Sequence, residues 1–274
     1  MSFLLKFVIG TVVIYVMLCI VLYFFQEKVI FFPQKLPKDY HFTFQDQFEE
    51  VFLENDEPSA AKIHALHFFA PQSKGVILYF HGNAGSLAGW GQVGSAFTTL
   101  GFDVLIPDYR GYGKSRGKLS QAALFSDAKL CYDYLKGRYP AEDIIIYGRS
   151  IGTGVASHLA SQVSSRFLIL ETPFYSLSQI ATSYFPVLPV NLLIRYPLES
   201  HKYLSAVDTP IYIFHGLKDE IVAYASGKKL EESLAGKNVE MITIPHGNHN
   251  NLAQFEKYWG GLKRILSDEE TEKN

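Results

Sequence analysis

The pentapeptide Gly148-Arg149-Ser150-Ile151-Gly152 has the Gly-x-Ser-x-Gly spacing of a nucleophile elbow, a sharp turn from strand to helix with an exposed serine hydroxyl. An apolar run, Asp143 to Tyr147, precedes it, and small and apolar residues from Thr153 to Val163 follow. A chain of this length would match the spacing by chance with a probability of roughly 0.1, and far less often between a strand and a helix. A serine hydroxyl attacks an acyl carbon only when a base takes its proton and a carboxylate orients that base. In elbow-type folds the chain order is Ser, then Asp or Glu, then His, each on a loop after a strand. Asp219 follows the apolar run Ile211–Phe214, and His249 follows Val239–Ile244, so both partners stand in that order. Glu220 and Glu171 are alternative acids, and His246 is an alternative base.

Acyl transfer also needs donors for the developing oxyanion. The backbone N–H of Ile151, directly after the serine, is one candidate. Asn83, in the glycine-containing loop His81-Gly82-Asn83-Ala84-Gly85-Ser86, is the other. Asp108-Tyr109-Arg110-Gly111-Tyr112-Gly113-Lys114-Ser115 matches neither a phosphate loop nor a dinucleotide fingerprint and reads as support for the site. His81 and His215 read as supporting or structural residues. His246 and His249 have no evident third ligand, so no metal is expected. No cofactor is expected either.

These residues need elements to hold them. With 274 residues and 48% hydrophobic content, the chain suits one α/β domain. From Gly75 onward, apolar runs of strand length alternate with helical patterns: strands at Val76–Phe80, Phe102–Pro107, Ile144–Tyr147, Phe167–Leu170, Ile211–Phe214 and Met241–Ile244. That alternation predicts a mostly parallel sheet with helices on both faces. Upstream, Phe42–Phe44, Phe48–Leu53 and Ile63–Phe69 predict antiparallel strands at one edge, with a turn over 54–59. About forty residues separate Leu170 from Ile211, and they carry the apolar, proline-broken stretch Tyr184 to Ile194. An insertion at 173–205 is therefore either a small lid over the site or an ordinary packed helix pair. The polar tail 267–274 is expected to fray.

Phe7 to Phe25 contains no charged residue and would span about 28 Å as a helix, close to a bilayer's hydrocarbon core. It ends Val21-Leu22-Tyr23-Phe24-Phe25 without a small-residue cleavage site, so it predicts an uncleaved membrane anchor over 1–30 and a folded domain over 31–274. A short N-terminal tail favours the domain on the non-cytoplasmic side, although Lys28, Lys35 and Lys38 do not reinforce it. Phe31-Phe32-Pro33-Gln34-Lys35-Leu36-Pro37 reads as a stiff connector at the membrane surface. A net charge of -2 gives no electrostatic reason to expect nucleic acid. Of two cysteines, Cys19 lies in the anchor, leaving Cys131 no internal disulfide partner.

The motifs around Phe31-Phe32-Pro33, His81-Gly82-Asn83-Ala84-Gly85, Asp108–Gly113, Gly148–Gly152, Pro173-Phe174, His215-Gly216-x-x-Asp219 and His249-Asn250 together resemble the serine-hydrolase branch of the α/β-hydrolase superfamily. More narrowly they are similar to its membrane-anchored Bem46-like group and to mammalian ABHD proteins of types 12, 13 and 17. The resemblance implies an eight-stranded α/β-hydrolase sheet, a triad Ser150–Asp219–His249 and an oxyanion hole at Asn83 and Ile151. It further implies a membrane-bound esterase, lipase or thioesterase acting on a small-molecule acyl ester or thioester. A serine peptidase of the same fold and a non-enzymatic scaffold are the alternatives; no protein partner is indicated.

Overall fold

The computed structural model describes residues 2–54 and 61–267. Of the turn expected over 54–59 and the tail over 267–274, residues 55–59 and 268–274 lie outside them. Eight strands form one sheet: β1 (Phe48–Glu54), β2 (Lys62–Phe68), β3 (Val76–Phe80), β4 (Asp103–Pro107), β5 (Ile144–Arg149), β6 (Leu168–Glu171), β7 (Ile211–Gly216) and β8 (Val239–Ile244). Their spatial order is β8-β7-β6-β5-β3-β4-β2-β1. Strands β3 to β8 pair in parallel, while β1 and β2 close one edge antiparallel.

The apolar runs are continuous because both faces of the parallel strands are covered. Successive side chains point to opposite faces, so Ile144 and Ile146 enter one core layer and Ile145 and Tyr147 the other. The first layer packs against α4 (Gln121–Lys136), α5 (Ile151–Ala160) and α8 (Tyr224–Glu232), through Leu124, Ala128, Cys131, Val155, Leu159 and Leu230. The second packs against α3 (Gln92–Thr98) and α9 (Glu256–Leu266), through Phe97, Tyr258 and Leu262. Helix α4 starts where Ser120 caps it, its hydroxyl accepting from the Ala123 N–H at 3.1 Å.

Before the sheet, α1 (Phe3–Phe25) is 23 residues long and contains an 18-residue stretch of mean hydropathy 2.7, enough by length and composition to cross a membrane. A single turn, α2 (Glu27–Ile30), follows. Between β6 and β7 lie α6 (Leu177–Tyr184) and the short α7 (Val190–Leu193), broken apart by Pro186 and Pro189.

Two expectations need correction. Phe42–Phe44 is not a strand. Its alternating aromatics pack on β1 and β2 instead: Phe44 meets Phe48 and Phe68 edge-on at 5.4 and 5.2 Å, and Phe42 stacks on His64 at 5.5 Å. The alternation comes from covering a sheet face, not from joining its ladder. The connector after the anchor is not a bare surface spacer either. Phe31 and Leu36 are buried, and Phe32–Pro33 pairs in parallel with Ala84–Gly85.

Buried His67, on β2, lies 3.3 Å from the hydroxyls of both Tyr134 and Tyr139. Burial, opposed by Asp103 and Glu49, pushes its imidazole down to about 4. The unfolded chain, titrating near 6.5, therefore takes up this proton first as pH falls. Stability contributed by the neutral ring is present above about pH 6.5 and drains away toward pH 4, by on the order of 3 kcal/mol. Denaturant midpoints in detergent should fall between pH 7 and 4.5, and the fall should be smaller in His67→Gln.

Candidate active site

Ser150 sits between β5 and α5 with φ 53° and ψ -119°. A residue with a β-carbon meets strain in that region, and the surroundings hold it there. The Ser150 N–H donates to the Glu171 carbonyl at 2.9 Å, and the Ser150 carbonyl accepts from the Thr153 hydroxyl at 2.6 Å. The two flanking glycines are a packing requirement. A β-carbon at Gly152 would lie 2.2 Å from the Phe80 carbonyl oxygen. One at Gly148 would lie 2.5 Å from the Gly152 carbonyl oxygen. Strand β3, the turn and α5 thus touch backbone to backbone, which leaves the serine side chain directed outward.

The hydroxyl of Ser150 is 2.9 Å from Nε2 of His249, and Nδ1 of His249 is 2.8 Å from Oδ2 of Asp219. A ring nitrogen that close to a carboxylate carries the proton, so Nε2 presents its lone pair to the serine. Asp219 is buried, and burial alone would raise its carboxyl. Hydrogen bonds from His215 and His249 and from the Val222 N–H outweigh that and hold it below the usual carboxylate range. His215 Nε2 lies 2.9 Å from the Val222 carbonyl and 3.3 Å from Asp219 Oδ2, so it donates into that loop. Gly227 leaves room for the ring, since a β-carbon there would come within 2.3 Å of His215 Nδ1.

The other candidates sit elsewhere. Glu171 is buried in a polar network of its own, accepting from the hydroxyls of Tyr147 at 2.7 Å and Tyr258 at 3.0 Å and pairing with Arg149 at 3.2 Å. Glu220 and His246 are exposed. Arg149 also donates to the His249 carbonyl at 3.3 Å and lies over the Trp90 ring. It braces the base loop from behind, a role that its variable position in the pentapeptide does not reveal. Among the described residues, no cluster of three or more His, Cys, Asp or Glu is placed to hold a metal ion.

Ser150, Ile151 and Asn83 line one cavity of about 220 Å³, together with Phe174, Leu177 and Ile180. Ile151 opens α5, where the first N–H groups have no intrahelical acceptor. The Asn83 peptide is fixed from two sides: its carbonyl accepts from the Phe32 N–H at 2.9 Å and the Tyr112 hydroxyl at 2.6 Å. Its side-chain amide donates to the Ile30 carbonyl at 3.0 Å. Tyr109 donates to the His81 carbonyl at 2.7 Å, and Asp108 accepts from the Leu87 N–H at 3.2 Å. The Asp108–Gly113 segment therefore supports the loop, as its sequence suggested. The share of Ile30 and Phe32 was hidden, because nothing in an apolar connector names the loop it will pair with.

A family model described as serine aminopeptidase, S33, matches residues 71–200. The chain is 32% identical over 197 residues to zebrafish lysophosphatidylserine lipase ABHD12, covering 61% of this chain and 50% of that protein. It is 32% identical over 207 residues to mouse alpha/beta hydrolase domain-containing protein 17C, covering 73% and 62% respectively. Among solved structures, an esterase of Pyrococcus furiosus superposes with a TM-score of 0.69 at 20% identity, covering 86% of this chain and 97% of that one. The chain has the α/β-hydrolase fold. It spans about half the length of the zebrafish relative and less than two thirds of the mouse one.

The strain at Ser150 can be separated from its hydroxyl. Ser150→Ala and Ser150→Gly both lack the hydroxyl, but only alanine keeps the β-carbon at positive φ. Relief of about 1–3 kcal/mol of strain, less about 0.5–1 kcal/mol for glycine's greater freedom when unfolded, should leave the glycine variant about 1 kcal/mol more stable. Paired denaturant titrations measure the difference.

Proposed function

We propose that this protein is a membrane-anchored serine hydrolase that cleaves carboxylic ester or thioester bonds of acyl, lipid-like substrates. The observation that carries the proposal is the unbroken hydrogen-bond chain Ser150–His249–Asp219, at 2.9 and 2.8 Å. His249 takes the serine proton as Oγ attacks the acyl carbon, and the ionised Asp219 stabilises the imidazolium that forms. The Ile151 and Asn83 backbone N–H groups receive the oxyanion. The imidazolium gives its proton to the leaving alcohol or thiol. Water, deprotonated by His249, then attacks the acyl-enzyme and releases the acid with Ser150 restored.

Residues 1–30 act as the anchor and 31–274 as the hydrolase domain, with 173–205 as a lid, and the domain lies on the non-cytoplasmic side. The lipid-like substrate is supported by the apolar cavity lining and by the similar zebrafish protein being a lysophosphatidylserine lipase. A fluorophosphonate probe should label the wild type but not Ser150→Ala; equal labelling would overturn the assignment. Asp219→Asn should lower kcat for a p-nitrophenyl ester by roughly 10³-fold or more while leaving the fold intact, because the base loses its tautomer and its counter-charge.

A peptidase is the second reading, favoured by the description of the matching family model. Rates on p-nitrophenyl acyl esters against aminoacyl and peptide p-nitroanilides separate the two. Preferred turnover of the anilides would make this a peptidase.

A further inference from the structure

The cavity at Ser150 adjoins another. Val29, Ile30, Ala181, Phe185 and Ile194 line it, and the same five residues line a second cavity farther from the serine. The second cavity is completed by Leu22 near the end of α1 and by Leu188, Val190 and Leu193 of the lid segment. Its one polar lining residue is Gln26, whose amide is already engaged. Gln26 Nε2 donates to the carbonyls of Tyr23 at 2.9 Å and Leu193 at 3.0 Å, and Oε1 accepts from the Arg195 N–H at 2.7 Å. The distal chamber therefore offers apolar surface and almost nothing that would prefer water.

The anchor and the lid segment are joined around this chamber. Glu27 accepts from Arg195 and from the Tyr196 hydroxyl, both at 2.7 Å. Higher up, the Tyr15 hydroxyl donates to the Val187 carbonyl at 2.8 Å. Tyr15 lies ten residues before Phe25, or about 15 Å along the helix axis. Val187 is 79% exposed and Leu192 82% exposed, beside a helix that is itself an exposed apolar surface. Apolar side chains so placed are satisfied by hydrocarbon rather than water.

We propose that the distal chamber is an acyl-tail subsite built jointly by the end of α1, α2 and the lid segment. It takes a long single acyl chain whose outer end remains in the bilayer leaflet while its carbonyl reaches Ser150. The anchor helix thereby forms a wall of the binding site as well as tethering the enzyme. This rests on the hydrolase reading above, and the test keeps the two apart.

Leu188→Trp and Leu22→Trp each put a large ring into the distal chamber without touching Ser150. In detergent or in phosphatidylcholine vesicles, the ratio of kcat/KM for p-nitrophenyl dodecanoate to that for the butanoate should fall at least tenfold in both variants. An unchanged ratio in both overturns the subsite. A parallel measurement needs no turnover: Ser150→Ala protein should bind 11-dansylundecanoic acid with enhanced fluorescence, dodecanoic acid should displace it, and adding either tryptophan should weaken binding at least tenfold. If the wild type hydrolyses neither ester but this binding pattern holds, the hydrolase reading fails and the subsite stands. If the butanoate is hydrolysed but no fatty acid binds, the subsite fails and the hydrolase reading stands.

Discussion

The backbone contact between β3, the turn at Ser150 and α5 is the constraint on which the rest of the site depends. Without β-carbons at Gly148 and Gly152, the Phe80 carbonyl and the first turn of α5 occupy the same small volume. That closeness has three consequences at once. It holds Ser150 at positive φ, it puts the orphan N–H groups of a helix start beside the hydroxyl, and it brings the loop after β3 to the same cavity. A substitution that pushed these elements apart would move the serine and both oxyanion candidates together. The strain at Ser150 is tolerable because a sheet buried on both faces anchors each side of the turn.

Asp219 and His249 depend on a second polar arrangement. A carboxylate removed from water must find partners or take up a proton. Asp219 finds His249, His215 and two backbone N–H groups, those of Ile221 and Val222. His215 cannot occupy its position unless residue 227 lacks a β-carbon, so a glycine on α8 governs the electrostatics of a loop it does not belong to. Glu171 solves the same problem with Arg149 and two tyrosines, and in doing so stands behind the elbow instead of beside His249. The two carboxylates engage separate sets of donors, and only that of Asp219 includes the imidazole that reaches Ser150.

Much of this was legible in the sequence. Largely apolar runs of four to six residues separated by helical patterns suffice for a parallel sheet, because burial on both faces leaves a strand few polar positions. The order of Ser150, Asp219 and His249 was readable for a related reason: each follows such a run, and strand ends of a parallel sheet converge on one edge. The preference for Asp219 over Glu171 and for His249 over His246 rests on position and motif, which leave the alternatives open. The outcome depends on which side chain finds donors in space, and sequence distance carries no information about that. Phe42–Phe44 misled because alternation at period two is equally produced by a segment lying across a sheet.

The connector was hidden for a deeper reason. Its sequence has the composition of a membrane-surface spacer, yet its backbone forms two-residue pairing with Ala84–Gly85 and supports Asn83 from Ile30 and Phe32. Such pairing is made by main-chain groups, so almost any apolar sequence could supply it. What selects it is position. A helix that ends at Phe25, followed by one further turn, delivers residues 30–33 to the loop after β3, while Gln26 and Glu27 engage Leu193 and Tyr196 after α6 from the other side. The same eight residues, 26–33, thus touch α1, the segment after α6 and the loop of Asn83. A displacement of α1 relative to the sheet would reach the serine cavity through hydrogen bonds already in place, which makes residues 26–33 part of the site's architecture.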